Sequence, residues 1–214
     1  MRPRLLDLFC GAGGAAMGYY RAGFDVVGVD VVPQPSYPFD FIQADAMTFP
    51  LDGFDAIHAS PPCHEHSKVL QRNRLRKGAH NTGWMLEATI DRLRPLEVPW
   101  VVENVEGAQF PDVPHKVRLC GPSFGLDLRR HRWFASNVDL QALPCDHAWQ
   151  TPRFRSLNRN KTTPATVIGV HGNINYKGEL ELRKHAMGIG WMNNKELVLS
   201  IPPVYTEFLG KQLL

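Results

Sequence analysis

The stretch that most constrains the fold is residues 4–30. Arg4-Leu5-Leu6-Asp7-Leu8-Phe9 reads as a short buried strand. The turn Cys10-Gly11-Ala12-Gly13-Gly14 follows, and a helical pattern runs from Ala15 to Ala22 and stops at Gly23. Val26-Val27-Gly28-Val29-Asp30 is a second strand, closed by a carboxylate. Strand, glycine turn, helix, strand and acid is the layout of a nucleotide-binding βαβ unit. Glycines let the backbone approach a ligand, and the acid can accept hydrogen bonds from ribose hydroxyls. The spacing Asp7-x-Phe9-x-Gly11-x-Gly13-Gly14 is not GxGxxG, and a glycine turn alone could be a plain tight turn. Asp7 and Asp30 together favour the ligand site.

Phe41-Ile42-Gln43-Ala44-Asp45-Ala46 reads as a third strand ending on an acid. Such an acid suits an adenine amino group, or simply a turn or helix cap. Phe54 to Ser60 is a fourth strand, and it runs into Pro61-Pro62-Cys63-His64-Glu65-His66-Ser67. Proline fixes its own φ and restricts the residue before it, so Cys63 is held in a defined direction as a candidate nucleophile. The basic run Lys68, Arg72, Arg74, Arg76, Lys77 suits a loop that meets phosphates, or a solvated segment.

A helix is expected over 83–93, then a buried strand at Trp100–Val105 that ends in Glu103-Asn104. Val117–Cys120 is strand-like, and Leu128–Phe134 alternates in part, which places Arg130 and Arg132 on one strand face. From Asp139 to about Tyr176 prolines break the pattern and Arg153, Arg155, Arg159 and Lys161 make it basic, as in a loop-rich lobe that contacts nucleic acid. Helices are expected at Lys184–Met192, Asn194–Leu199 and Val204–Leu214. The organisation expected is a catalytic and cofactor-binding domain at 1–138, a small target-recognition lobe at 139–183, and carboxyl-terminal helices at 184–214 returning to the first domain.

Charge is distributed unevenly. Residues 1–60 carry three basic and seven acidic side chains, residues 61–132 twelve and eight, and residues 133–214 nine and six. An acidic first third and a basic remainder suit a cofactor half joined to a face for a polyanion, though an ordinary solvated surface would read much the same. No apolar run approaches the roughly 20 residues that cross a bilayer, and because Met1 leads straight into the first strand no signal peptide is expected. A monomer in a reducing cytoplasm is expected, because four cysteines are too sparse for a disulfide framework. Cys145 and His147, with Cys120 or His131, are zinc-ligand types, but their spacing fits no known zinc pattern and no metal is expected.

Taken in order, these segments resemble the DNA cytosine-5 methyltransferases. Asp7-Leu8-Phe9-Cys10-Gly11-Ala12-Gly13-Gly14 looks like their cofactor signature, and Ser60-Pro61-Pro62-Cys63 like their catalytic loop, with Ser67 matching the serine four residues on. Glu103-Asn104-Val105 looks like their Glu-Asn-Val motif, and Arg130-x-Arg132 like the end of Gln-x-Arg-x-Arg. The resemblance is strong over 4–136 and thin afterwards.

It implies a Rossmann-like α/β methyltransferase fold with a mixed, mostly parallel sheet and a small loop-rich lobe. The implied cofactor is S-adenosyl-L-methionine, held by Asp7, Phe9, Gly11, Ala12, Gly13, Gly14, Asp30, Val31, Asp45, Ala46 and Pro62. The implied partner is double-stranded DNA with a flipped cytosine, met by Ser60, Pro61, Ser67, Asn104, Arg72, Arg74, Arg153 and Arg155. Catalysis would fall to Cys63, which adds to carbon 6, with Glu103, Arg130 and Arg132.

Cysteine after Pro-Pro points to carbon 5, whereas enzymes that methylate exocyclic amines tend to carry an aromatic residue there. The size suits a compact, phage-type or stand-alone modification enzyme. Three departures stand out. His64-Glu65-His66 replaces the usual Gln-Pro-Phe, Leu128 replaces the Gln, and the carboxyl-end Gly-Asn motif is missing, with Tyr205-x-Glu207-Phe208-x-Gly210 as its degenerate remnant. Two alternatives follow: the same chemistry on RNA or a free cytosine nucleotide, or a catalytically silent binding module.

Overall fold

The computed structural model describes residues 1–62, 84–148, 167–174 and 176–214. Among these residues seven strands form one sheet: β1 (Arg4–Leu8), β2 (Asp25–Asp30), β3 (Asp40–Gln43), β4 (Ala56–Ala59), β5 (Trp100–Val105), β6 (His115–Leu119) and β7 (Arg132–Ser136). Their order across the sheet is β3-β2-β1-β4-β5-β7-β6. The first five are parallel, while β7 runs antiparallel to both β5 and β6. Five α-helices accompany them among the described residues: α1 (Gly14–Ala22), α2 (Trp84–Leu93), α3 (Glu179–Met187), α4 (Asn194–Leu199) and α5 (Pro203–Leu213). This is a Rossmann-like methyltransferase fold, as the sequence predicts. No helix among the described residues is long and apolar enough to cross a membrane.

The central strands read as continuous apolar runs because helices cover both faces. On one face Leu6, Leu8, Ile57, Trp100 and Val102 pack with Leu86, Ile90 and Leu93 of α2. On the other, Leu5, Val26 and Ala56 pack with Ala16 and Tyr19 of α1, and Val101 and Phe134 with Tyr205 and Leu209 of α5. Helices α1 and α5 approach closely. A Cβ on Gly18 would lie 2.0 Å from Thr206 Oγ1 and 2.1 Å from the Pro203 carbonyl oxygen. The Thr206 hydroxyl uses that proximity to donate to the Ala15 carbonyl at 2.8 Å.

Several boundaries differ from expectation. Strand β3 stops at Gln43, so Asp45 lies beyond it in a turn, where its own carboxylate accepts from Met47 N at 2.9 Å. Strand β7 begins at Arg132, so Arg130 and Arg132 do not share a strand face. Helix α3 lies earlier than the expected Lys184–Met192 and runs across the 183/184 boundary. Its start carries Glu179 and Glu181, its last turn Lys184 and His185, and Gly188 closes it at φ 68°. Those are ordinary helix-end signals, placed to complement the helix dipole. Helix α4 matches its predicted span and carries a capping box between Asn193 and Glu196.

Candidate active site

Strand order reverses between β1 and β4, and open α/β sheets bind ligands outside the carboxyl ends of strands at such a switch point. Strand β1 delivers Phe9 to Gly14 to this edge, β4 delivers Ser60 to Pro62, and β5 delivers Glu103 and Asn104. Because β7 is antiparallel to β5, its amino end brings Arg132 to the same edge.

The turn after β1 is shaped for close approach. Phe9 has φ +55°, an uncommon value for a residue with a side chain and a local strain of the kind found at ligand sites. Gly11 and Gly13 follow at φ +49° and +83°. Asp30 ties this turn to β2, its Oδ2 accepting from Gly11 N at 3.1 Å and its Oδ1 from Val32 N at 2.9 Å. Beside it Val31 is 65% exposed, an apolar side chain left uncovered at the strand ends. The far end of the chain closes the back of the turn. Trp191 Nε1 donates to the Ala12 carbonyl at 2.9 Å, and Ser200 and Ile201 lie against Gly14. Asp45 is exposed, whereas Ala46 is buried and its carbonyl accepts from Arg92 Nη1 at 2.8 Å.

Asp7 lies fully buried beneath this turn. In the register it stands between Gly28 of β2 and His58 of β4. Gly28 leaves room for the Tyr37 ring, which would lie 2.3 Å from a Cβ there. Tyr37 in turn donates to Asp7 Oδ2 at 3.4 Å. Asp7 Oδ1 is buried without a partner among the described residues. Burial pushes the carboxyl up to about 8, with Asp30 adding to the rise and Tyr37 opposing it.

Glu103, also buried, has different company. Arg132 Nε lies 2.7 Å from Glu103 Oε1. Burial raises the carboxyl above its ordinary range, while Arg132, Arg130 and the Ser60 hydroxyl pull it back. Ser60 heads a buried chain that sequence reasoning missed. His58 Nε2 lies 2.9 Å from Ser60 Oγ, and His58 Nδ1 lies 3.0 Å from the Tyr19 hydroxyl. Burial drives His58 down to about 3, so its ring is neutral with one donor and one acceptor nitrogen. The Ser60 hydroxyl donates to the Glu103 carboxyl, which makes His58 Nε2 the donor to Ser60 and Tyr19 the donor to His58 Nδ1. The signal was a histidine inside the apolar run Phe54–Ala59, two residues before Ser60.

Asn104 acts on the backbone: its Nδ2 donates to the Pro61 carbonyl at 3.1 Å, tying the Pro-Pro turn to β5. Arg130 is held from behind, with Nη2 donating to the Val198 carbonyl at 2.7 Å and Nη1 to Val170 at 3.3 Å. Tyr205 donates to the Arg130 carbonyl at 2.8 Å. The structure therefore brings together Asp7, Phe9, Gly11–Gly14, Asp30, Ser60–Pro62, Glu103, Asn104 and Arg132. Cys63, Ser67, Arg72, Arg74, Arg153 and Arg155 lie outside the described residues.

No family model matches the chain, and no curated protein matches it in sequence. Solved structures do match. A candidate DNA modification methyltransferase encoded within an Escherichia coli prophage has a TM-score of 0.61 at 16% identity, over 99% of this chain and 98% of that one. The Dnmt2 methyltransferase of Schizosaccharomyces pombe matches at 0.61 and 12% identity, over 100% and 98%. The methyltransferase EhMeth of Entamoeba histolytica matches at 0.58 and 10%, over 100% and 98%. At these identities the likeness is one of fold along the whole chain.

Proposed function

We propose that this protein is a methyltransferase that transfers a methyl group from S-adenosyl-L-methionine to carbon 5 of a flipped cytosine in DNA. The observation that carries the reading is the convergence of Glu103, Arg132 and the Ser60-Pro61-Pro62 turn at the edge that also holds the Phe9–Gly14 turn. Fold neighbours that are methyltransferases along the whole chain support it.

The cofactor fits the residues present. Positive φ at Gly11 and Gly13 opens the backbone to a ligand, exposed Val31 suits a flat purine, and Asp30 keeps acceptor capacity for ribose hydroxyls. S-adenosyl-L-methionine supplies an electrophilic methyl group when bound.

The rest falls to the chain. Carbon 5 of cytosine is a weak nucleophile until a thiolate adds to carbon 6. Cys63, one residue beyond the anchored Pro-Pro turn, supplies that thiolate, forming the sulfur–carbon bond. Arg132 and Arg130 favour the thiolate over the thiol. With its proton in place, Glu103 donates to ring nitrogen 3 and accepts from the exocyclic amine with its other oxygen. The proton counters the negative charge that develops on nitrogen 3 as sulfur adds, and burial, which raises this carboxyl, favours that form. After methyl transfer solvent water takes the carbon 5 proton, the released electron pair re-forms the 5,6 double bond, and Cys63 departs as the thiolate. The basic stretches around Arg72, Arg74, Arg153 and Arg155 neutralise phosphates.

Incubation with labelled cofactor and duplex DNA tests the reading. Wild type labels cytosine, and Cys63→Ala does not, with a loss of at least about 10³-fold. Equal labelling by both would sink the covalent mechanism.

A further inference from the structure

We propose that Cys120, His131, Cys145 and His147 form a zinc site that fastens the chain entering residue 149 to the β6–β7 edge of the sheet. Their four ligand atoms all lie within 4.8 Å of one another. Cys120 Sγ is 3.4 Å from His147 Nε2, Cys145 Sγ is 3.2 Å from the same nitrogen, and His131 Nε2 is 3.3 Å from Cys145 Sγ. Tetrahedral zinc, with bonds of about 2.3 Å to sulfur and 2.0–2.1 Å to nitrogen, sets sulfur and nitrogen ligands about 3.5 Å apart. The observed separations are close to that value, so a small outward adjustment admits the ion.

The donor set selects the metal. Two thiolates and two imidazoles are the Cys2His2 set of closed structural zinc sites, and two thiolates neutralise the dication. A second shell is present too: His131 turns its other nitrogen, Nδ1, to Glu106 Oε2 at 3.4 Å. A carboxylate behind a ligand histidine is the usual means of fixing its ring. A dication would hold Cys120 and Cys145 as thiolates.

The linear spacing hides this arrangement because no two close neighbours in sequence supply more than half of it. Cys120 follows the end of β6, His131 precedes the start of β7, and Cys145 and His147 lie on the chain beyond β7. The antiparallel pairing that sets Leu119 opposite Arg132 brings the first two together. One ligand, His131, lies between Arg130 and Arg132 in the chain. It would hold the β6–β7 edge, and with it Arg132, against the strain of a base drawn into the site. The proposal goes beyond the methyltransferase reading and is tested without reference to activity.

The test is zinc content of the full chain, expressed with zinc and dialysed. About one zinc per chain is expected, falling at least about tenfold in Cys145→Ser and in His147→Ala. Metal-free protein given Co2+ should show the visible bands of a tetrahedral thiolate–cobalt centre. Chelation should lower the melting temperature by roughly 5 °C or more. Wild type that holds no zinc and yields no such cobalt spectrum overturns the proposal. So does a folded Cys145→Ser protein that keeps full zinc content. If the variants do not fold, a thiol reagent is applied to wild type: zinc released in step with modification supports the site, and zinc unmoved by it overturns the site.

Discussion

Asp7 and Glu103 are both buried in the same sheet, and burial raises both above the ordinary carboxylate range. Their surroundings part from there. Asp7 sits on β1 among parallel strands, with a phenol as partner and Asp30 as the neighbouring charge. Glu103 sits on β5 beside the antiparallel β7, which supplies Arg132 at 2.7 Å. A cation and a hydroxyl donor favour the charged form of a buried carboxyl and offset part of the rise that burial causes, and a site without a cation lacks that offset. The fold therefore sets beside β7 a raised carboxyl that cations can balance, and under the glycine turn one, raised to about 8, that holds its proton at neutral pH.

The sharpest way to break this contrast is Glu103→Gln, which keeps the shape and removes the titratable carboxyl. Methyl transfer should fall about 10²–10³-fold, as when one preorganised transition-state contact is lost, with the melting temperature little changed. A rate within threefold of wild type would remove Glu103 from the chemistry. Next in size is Arg132→Met, which leaves Glu103 buried beside fewer cations. Chemical unfolding should show a loss of about 3 kcal/mol. That loss should shrink at acid pH, where Glu103 takes up a proton.

His58→Phe tests the prop behind Ser60. It leaves the Tyr19 hydroxyl and Ser60 Oγ without their buried partner, at about 2 kcal/mol, and should also lower the rate by loosening Ser60 against Glu103. Unfolding curves and rates measured together separate the two effects. The smallest change is Asp7→Asn, read through pH. Because the folded value of Asp7 is raised to about 8, its contribution to stability is present below the unfolded carboxylate range and is lost as pH rises through about 8. Asp7→Asn should flatten that fall, narrowing the difference in melting temperature between about pH 5.5 and 8.5 by several degrees. An unchanged slope would mean that Asp7 is already ionised.

Much of the scaffold was legible because it is local. The Arg4–Asp30 unit, the strand at Trp100–Val105 and the helix at Asn194–Leu199 each follow from apolar runs bounded by glycine or caps. The structure sets Glu103 and Arg132, both singled out in the sequence, 2.7 Å apart, but the partial alternation over Leu128–Phe134 does not put Arg130 and Arg132 on one strand face, because β7 begins at Arg132. The apolar pattern also put Asp45 at a strand end, where it lies in a turn beyond β3. The resemblance sought the carboxyl-end contact at Tyr205–Gly210, whereas Trp191, Ser200 and Ile201 close on the glycine turn. Nothing in a sequence period reports such contacts across some 180 residues.

The sequence by itself determined a nucleotide-type βαβ start, a stiff Pro-Pro turn ahead of Cys63 and a strand ending in Glu103-Asn104. Those features arise from backbone restriction and one-sided burial within a few residues. Tertiary structure alone decided that β7 runs antiparallel and carries Arg132 to Glu103, that Tyr19, His58 and Ser60 line up behind that acid, and that two cysteines and two histidines from three segments meet. Pairing direction and helix packing set those distances, and neither is encoded in local spacing.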